Sequence, residues 1–247
     1  IFDSPDCGAE ILLWVGCAGA FDDRYQRAMA SLARLMQSAG VNFAILGNAE
    51  KCCGEPARVS GNEYIFQEFA RQNIEKMTAL GIKKIVTACP HCLKTLATEY
   101  PDFGGKFEVV HHSAFLADLL KSGRLKSNGA FKGVAAVHDS CYLARHAGIS
   151  AEPRELALSA GLSLAEMDRR KKRTFCCGGG GARMWLEEKG RRAGDERAAE
   201  ALSTEASVIA TACPFCLAML SDGVKAAGKE ESAEVLDLAE ALERGLA

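Results

Sequence analysis

The chain has 247 residues, 48% apolar and 25% charged, with 30 basic against 32 acidic side chains. That composition excludes intrinsic disorder, leaves enough chain for a sizeable core, and carries no charge excess that would hold nucleic acid or a membrane surface. The longest uncharged apolar stretch, residues 11–21, is 11 residues long. A membrane helix needs about 20, so no bilayer-spanning segment is expected.

The first strong pattern is an apolar run over 11–15 closed by Gly16, read as a strand. Over 22–39 apolar residues recur at 25, 28, 29, 32, 35 and 36, a helical stripe with Asp22 as N-cap and Gly40 as stop. A strand is predicted over 41–46, a helix over 63–80, a strand over 85–88, a helix from Pro90, a strand over 109–111 and a helix over 114–121. The joint falls at 123–132, rich in Ser, Gly, Asn and Lys. The order then recurs: strand 134–138, helix near 154–160, strand 164–167, helix 185–202, strand 208–212, helix from Pro214, strand 234–236 and helix 238–244. Such alternation predicts parallel sheets with helices on both faces. The expected fold is α/β, two tandem Rossmann-like lobes over 1–124 and 125–247, related by an internal pseudo-twofold repeat.

The repeat is written in cysteine. Cys17, Cys52, Cys53, Cys89 and Cys92 are answered, each 124 residues later, by Cys141, Cys176, Cys177, Cys213 and Cys216. Cys7 alone stands outside and is given no role. Cys-Cys-Gly recurs with Gly54 and Gly178, and Thr-Ala-Cys-Pro-x-Cys-Leu recurs at 87–93 and 211–217. Ser38-Ala39-Gly40 answers Ser159-Ala160-Gly161 at an offset of 121, so compensating indels lie between the anchors. Buried cysteines packing as small hydrophobes would explain any one position, but not ten held at fixed offsets through divergent sequence.

In open α/β sheets ligands sit beyond the carboxyl ends of the strands, and each cysteine group is predicted to fall there. Pro90 and Pro214 suit the first helical position. Cys89 and Cys213 then cap those helices, where the positive helix end favours thiolate. With no secretory signal, metal or redox chemistry is favoured over a disulfide framework, and a cytoplasmic location is expected. Five thiolates per site exceed the four of a tetrahedral zinc site and the usual four of an iron–sulfur cluster. A fifth suggests an unusual cluster with a bridging thiolate.

The doubled pattern resembles the cysteine-rich CCG domain found in the B-type subunits of heterodisulfide reductase. It is most similar to the carboxyl-terminal part of heterodisulfide-reductase-related iron–sulfur oxidoreductases linked to electron-transfer flavoprotein. The segments that carry the resemblance are Val15-Gly16-Cys17-Ala18, Phe21-Asp22-Asp23-Arg24, Glu50-Lys51-Cys52-Cys53-Gly54, Pro90-His91-Cys92, His111-His112, His138-Asp139-Ser140-Cys141-Tyr142-Leu143 and Ala212-Cys213-Pro214-Phe215-Cys216. It implies that each complete motif holds a noncubane [4Fe-4S] cluster, with zinc an alternative in one lobe. It also implies electron exchange with a ferredoxin-type iron–sulfur subunit or domain and with a flavoprotein, and membrane contact only through a partner. The C-x-x-C-x-x-C-x-x-x-C-P run of ordinary cubane clusters is absent from this sequence. Three functions stay open: electron transfer, reduction of a small disulfide, and a structural zinc module.

The glycine run 178–181 reads as close backbone approach to a cluster rather than a phosphate cradle, because the first copy has Gly54-Glu55-Pro56-Ala57 instead. His138, three residues before Cys141, is placed beside the cluster without ligating it, as are Gly54 and Gly178. His111 and His112 read as structural. His91 is set aside as a required ligand because Phe215 replaces it in the second copy. The basic run Arg169-Arg170-Lys171-Lys172-Arg173 reads as a solvated connection. RNA binding is excluded because no aromatic residue interleaves it.

Overall fold

The structure, a computed structural model, describes residues 1–5, 7–187 and 189–246. The first lobe runs β1 (Ile11–Trp14), α1 (Gly16–Phe21), α2 (Asp23–Ser38), β2 (Phe43–Ala44), α3 (Glu55–Val59), α4 (Glu63–Ala79), β3 (Lys84–Thr87), α5 (Pro90–Lys94), β4 (Glu108–His111) and α6 (His112–Lys121). The second runs β5 (Gly133–His138), α7 (Glu152–Ala160), β6 (Leu162–Leu164), α8 (Ala193–Leu202), β7 (Val208–Thr211), α9 (Pro214–Ala226), β8 (Glu234–Asp237) and α10 (Leu238–Arg244). Each lobe holds a four-stranded parallel sheet, in the orders β2-β1-β3-β4 and β6-β5-β7-β8. The predicted tandem α/β architecture is therefore present, and its registers repeat. Trp14 lies beside Thr87 as His138 lies beside Thr211, both pairs 124 residues apart.

Local physics explains the elements. β1 and β7 are buried along their whole length, as strands covered by helices on both faces must be. In α2 the Asp22 carboxylate accepts from the Tyr25 amide at 2.7 Å and so caps the helix. The stripe Tyr25, Ala28, Met29, Leu32, Leu35 and Met36 faces inward. Gly40, at φ 63°, ends the turn in a conformation that favours glycine.

The lobes are joined through buried polar contacts. Arg24 on α2 grips Glu240 at 2.7 and 2.9 Å and donates to the Val235 carbonyl at 2.8 Å. The buried Asp237 carboxylate takes the Tyr25 hydroxyl at 3.3 Å and His112 Nε2 at 3.0 Å. These contacts bring the carboxyl ends of the two sheets together.

Several predicted segments are corrected. The strand over 41–46 shortens to Phe43–Ala44, a sheet edge with a single neighbour. The strand over 164–167 moves to Leu162–Leu164, because Gly161 at φ 103° ends α7 and feeds the chain straight into the sheet. The helix over 185–202 begins only at Ala193, since Ala182 and Gly190 take left-handed conformations upstream. Helices α1 and α3 add to the predicted elements. Among the described residues, no helix is long and apolar enough to cross a membrane.

Candidate metal centres

In each lobe, three loops at the carboxyl ends of the strands bring five cysteines together. Cys17 lies on α1 just after β1. Cys52 and Cys53 precede α3. Cys89 caps α5, and Cys92 is its third residue. All five line one cavity with Glu55, Pro56 and His91, and Pro214 and Phe215 of the other lobe close it. Cys53 and Cys92 sulfurs stand 3.5 Å apart. In the second lobe Cys177 and Cys216 stand 3.2 Å apart and Cys141 and Cys176 3.7 Å apart. All eleven cysteines are free thiols, and Cys7 joins neither group.

Such crowding sets their acidity. Hydrogen bonds from Cys17 and Cys53 pull Cys52 down to about 3, and Cys141 and Cys177 pull Cys176 down to about 2. The Gly54 and Gly178 amides add to this, pointing at those sulfurs from 3.5 and 3.3 Å. Both glycines take left-handed conformations, φ 90° and 85°. The donors bear the electrostatic cost: Cys17, Cys53, Cys92, Cys141, Cys177 and Cys216 are pushed up by thiol hydrogen bonding and burial. Burial opposes charge at Cys89, but Cys92 and the His91 ring bring it down to about 6. Sulfurs that cannot all ionise together are the donor set that a multiply charged metal centre satisfies. Five thiols on one cavity suit several metal ions better than one tetrahedral zinc.

The loops are braced locally. Glu50 accepts from the Val15 and Gly16 amides at 3.1 and 2.6 Å, holding the Cys17 loop. At its equivalent, Thr174, the hydroxyl donates to the Asp139 carbonyl at 2.8 Å. Glu50→Ala would orphan two amides and is expected to cost about 1–3 kcal/mol. Urea unfolding measures this, with Glu50→Gln recovering part of the loss.

His138 is buried at the end of β5. Its Nδ1 accepts from Arg197 Nε at 2.9 Å. A guanidinium only donates, so the imidazole proton is on Nε2. That atom has no hydrogen-bond partner among the described residues, and the ring has a nitrogen within 4.8 Å of the Cys177 and Cys216 sulfurs. Burial first, then the Arg197 charge, lowers His138 to about 3 and keeps it neutral. The ring's lone pair is engaged by Arg197, which leaves a free N–H on a ring that lies beside Cys177 and Cys216.

Sequence reasoning missed two residues here. Trp14, three residues before Cys17 as His138 is before Cys141, is buried, and its indole N–H has no hydrogen-bond partner among the described residues. The constant spacing was the available signal. His91 sits between the two sites, its Nδ1 3.8 Å from Cys89 Sγ and its ring 4.9 Å from Phe215. The Cys213 thiol of the other lobe also interacts with it. Its pairing with Gly180 could have revealed it: a Cβ there would stand 3.0 Å from His91 Nε2, whereas the first copy, facing Phe215, has Pro56. The other readings sort differently. His111 bonds to Ser113 and to the backbone of Ala88 and Ala212, and His112 bonds to Asp237. The basic run is partly structural rather than simply solvated, since Arg169 pairs with Glu196 and Glu200 and the Lys171 amide donates to Asp139.

The chain is similar in sequence to known proteins. The chain is 44% identical over 248 residues to the EtfAB:quinone oxidoreductase of Syntrophomonas wolfei, spanning 96% of this chain and 35% of that one. It is 43% identical to the probable iron-sulfur-binding oxidoreductase FadF of Bacillus subtilis, over 94% of this chain and 33% of that one. It is 35% identical to the D-type subunit of the dihydromethanophenazine:CoB--CoM heterodisulfide reductase of Methanosarcina barkeri, over 87% of this chain and 54% of that one. The chain thus spans about a third of the length of the first two. The pattern of the CCG cysteine-rich domain matches residues 11–97 and again 135–221. With both copies carrying the full set of five cysteines, this chain belongs to the CCG cysteine-rich domain family.

Proposed function

We propose that the chain is the electron-transferring module of a larger iron–sulfur oxidoreductase. Cys17, Cys52, Cys53, Cys89 and Cys92 would hold one noncubane [4Fe-4S] cluster, and Cys141, Cys176, Cys177, Cys213 and Cys216 a second. The observation that carries this reading is the convergence of five thiols on one buried cavity in the first lobe, with similar sulfur spacings in the second. Such clusters supply one-electron storage at potentials set by their protein surroundings. The chain's own residues do the rest. The glycine amides supply donors towards sulfur, the buried N–H groups of His138 and Trp14 are left free to donate, and Phe215 and Pro214 keep water from the first site. A one-electron carrier, a ferredoxin-type domain or a flavoprotein, is the natural partner.

A second reading, reduction of a small disulfide, is favoured by one asymmetry. A cleft of about 460 Å³, lined by Pro90, Leu93, Val109, Tyr142 and His146 among others, opens beside the second site. The matching cleft beside the first site, lined by Cys17, Ala18, Asp22, Pro214 and Phe215 among others, is smaller at about 300 Å³.

Metal and acid-labile sulfide per chain, on protein purified without oxygen, test the proposal. Roughly eight irons with matching sulfide are expected for two four-iron clusters. Zinc without sulfide would overturn it. A disulfide-dependent change in the visible spectrum would select the second reading over pure transfer.

A further inference from the structure

The internal repeat makes the two sites comparable residue by residue, and the groups around them differ in charge. On α4 the inward residues are Ala70, Asn73, Ile74 and Met77, and on α8 they are Gly194, Arg197, Ala198 and Ala201, each 124 residues later. Asn73 is neutral and bonds the Lys51 amide, the Cys52 carbonyl and the Tyr100 hydroxyl. Arg197, its equivalent, is fully buried. One edge of its guanidinium faces His138, which stands one ring away from Cys177 and Cys216. Glu200 takes the opposite end of the fork at 2.7 Å and is shared with Arg169. The buried Asp139 carboxylate, two residues before Cys141, also acts on Arg197 and is itself paired with Arg154.

The first site has different surroundings. Trp14 stands in place of His138, and its indole N–H has no hydrogen-bond partner among the described residues. Carboxyl groups replace neutral residues: Glu50 where the second lobe has Thr174, and Glu55 on the cavity wall where it has Gly179. The Glu55 carboxyl accepts the Tyr142 hydroxyl at 2.9 Å. His91 reaches Cys89 and Cys213 alike, so it does not separate the sites.

We propose that the two centres are electrically unequal, and that the second, on Cys141, Cys176, Cys177, Cys213 and Cys216, is the electron acceptor of the pair because His138 and Arg197 stand where the first lobe has Trp14 and Asn73. The inference rests on the proposed function above, two clusters in one chain. A reduced centre is more negative than an oxidised one. A buried guanidinium and a ring N–H group beside the sulfurs stabilise that extra charge, whereas neighbouring carboxyls oppose it. One electron leaves the first centre, which is oxidised, and enters the second, which is reduced. No proton or other atom is transferred. His138 and Arg197 are positioning residues in this step.

The test is a redox titration followed by electron paramagnetic resonance, on the whole chain and on Cys53→Ser and Cys177→Ser, which leave one centre each. The second centre is expected to be favoured at least tenfold, which is about 59 mV for one electron. Arg197→Gln should lower the second potential and leave the first in place. Glu55→Gln should raise the first and leave the second, so a folding failure of the Arg197 variant does not remove the test. Two populated clusters with equal potentials, or with the first higher, overturn this inference. Absence of iron and sulfide overturns the proposed function instead.

Discussion

Replacing Cys53 by Ser is expected to empty the first lobe of its cluster while the second keeps its own, so that iron and sulfide fall to about half. Cys53 is one of the two vicinal cysteines, is buried, and lies 3.5 Å from Cys92 Sγ. A hydroxyl is a poor ligand for iron in a thiolate set, and no sixth thiol lines the cavity. The second set is supplied entirely by residues 141–216, so it has no covalent share in the loss. Cys177→Ser is the mirror experiment. Unchanged iron in either variant would remove that cysteine from the ligand set.

Substituting Leu for Arg154 should have the largest effect on stability. The guanidinium is bidentate to Asp139 at 2.8 and 2.9 Å and to Glu166 at 2.6 and 2.8 Å. The Asp139 side chain is only 1% exposed. Without Arg154 its charge is buried with the Lys171 amide as remaining partner. Breaking such a pair from one side costs about 3–5 kcal/mol, or about 6–20 °C in Tm for a chain of this size. Asp139 lies two residues before Cys141, so looser cluster retention in the second lobe is expected with the lower Tm. Calorimetry decides this: a loss under about 1 kcal/mol would mean that the pair is not buried as described.

Glu166 carries a pH signature of the same network. The Arg154 hydrogen bonds hold its carboxyl below the usual value. Its folded-state pKa is thus depressed, and the stability it adds is present above about 4.5 and is lost as pH falls through the folded value. A Glu166→Gln variant should show a flatter acid limb in thermal melts than the parent chain, and an identical limb would exclude this carboxyl as a contributor.

How much of the fold and of the sites is legible in the sequence follows from how local each signal is. The α2 stripe, its Asp22 cap and its Gly40 stop depend on residues within one or two turns, and all three are present in the folded chain. The helix over 185–202 is shorter than its composition suggests because Gly190 takes a left-handed conformation, and the glycines upstream are held by close packing. A Cβ on Gly179 would stand 3.0 Å from Met219, and one on Gly180 3.0 Å from His91. The strand over 41–46 shrinks because pairing at a sheet edge depends on a neighbour that the local sequence does not reveal.

From the sequence came the doubled set of five cysteines, the tandem α/β lobes and the family resemblance, because offsets and periodicities survive in one dimension. Only the tertiary structure decided what surrounds each set. His91 stands between the two sites although one copy lacks it, and Trp14 answers His138 although the two share no chemistry beyond an N–H. The buried cation at Arg197 has a neutral amide as its counterpart. Each is a contact between segments far apart in the chain, and the charge difference it creates arises from what the folded lobes bury.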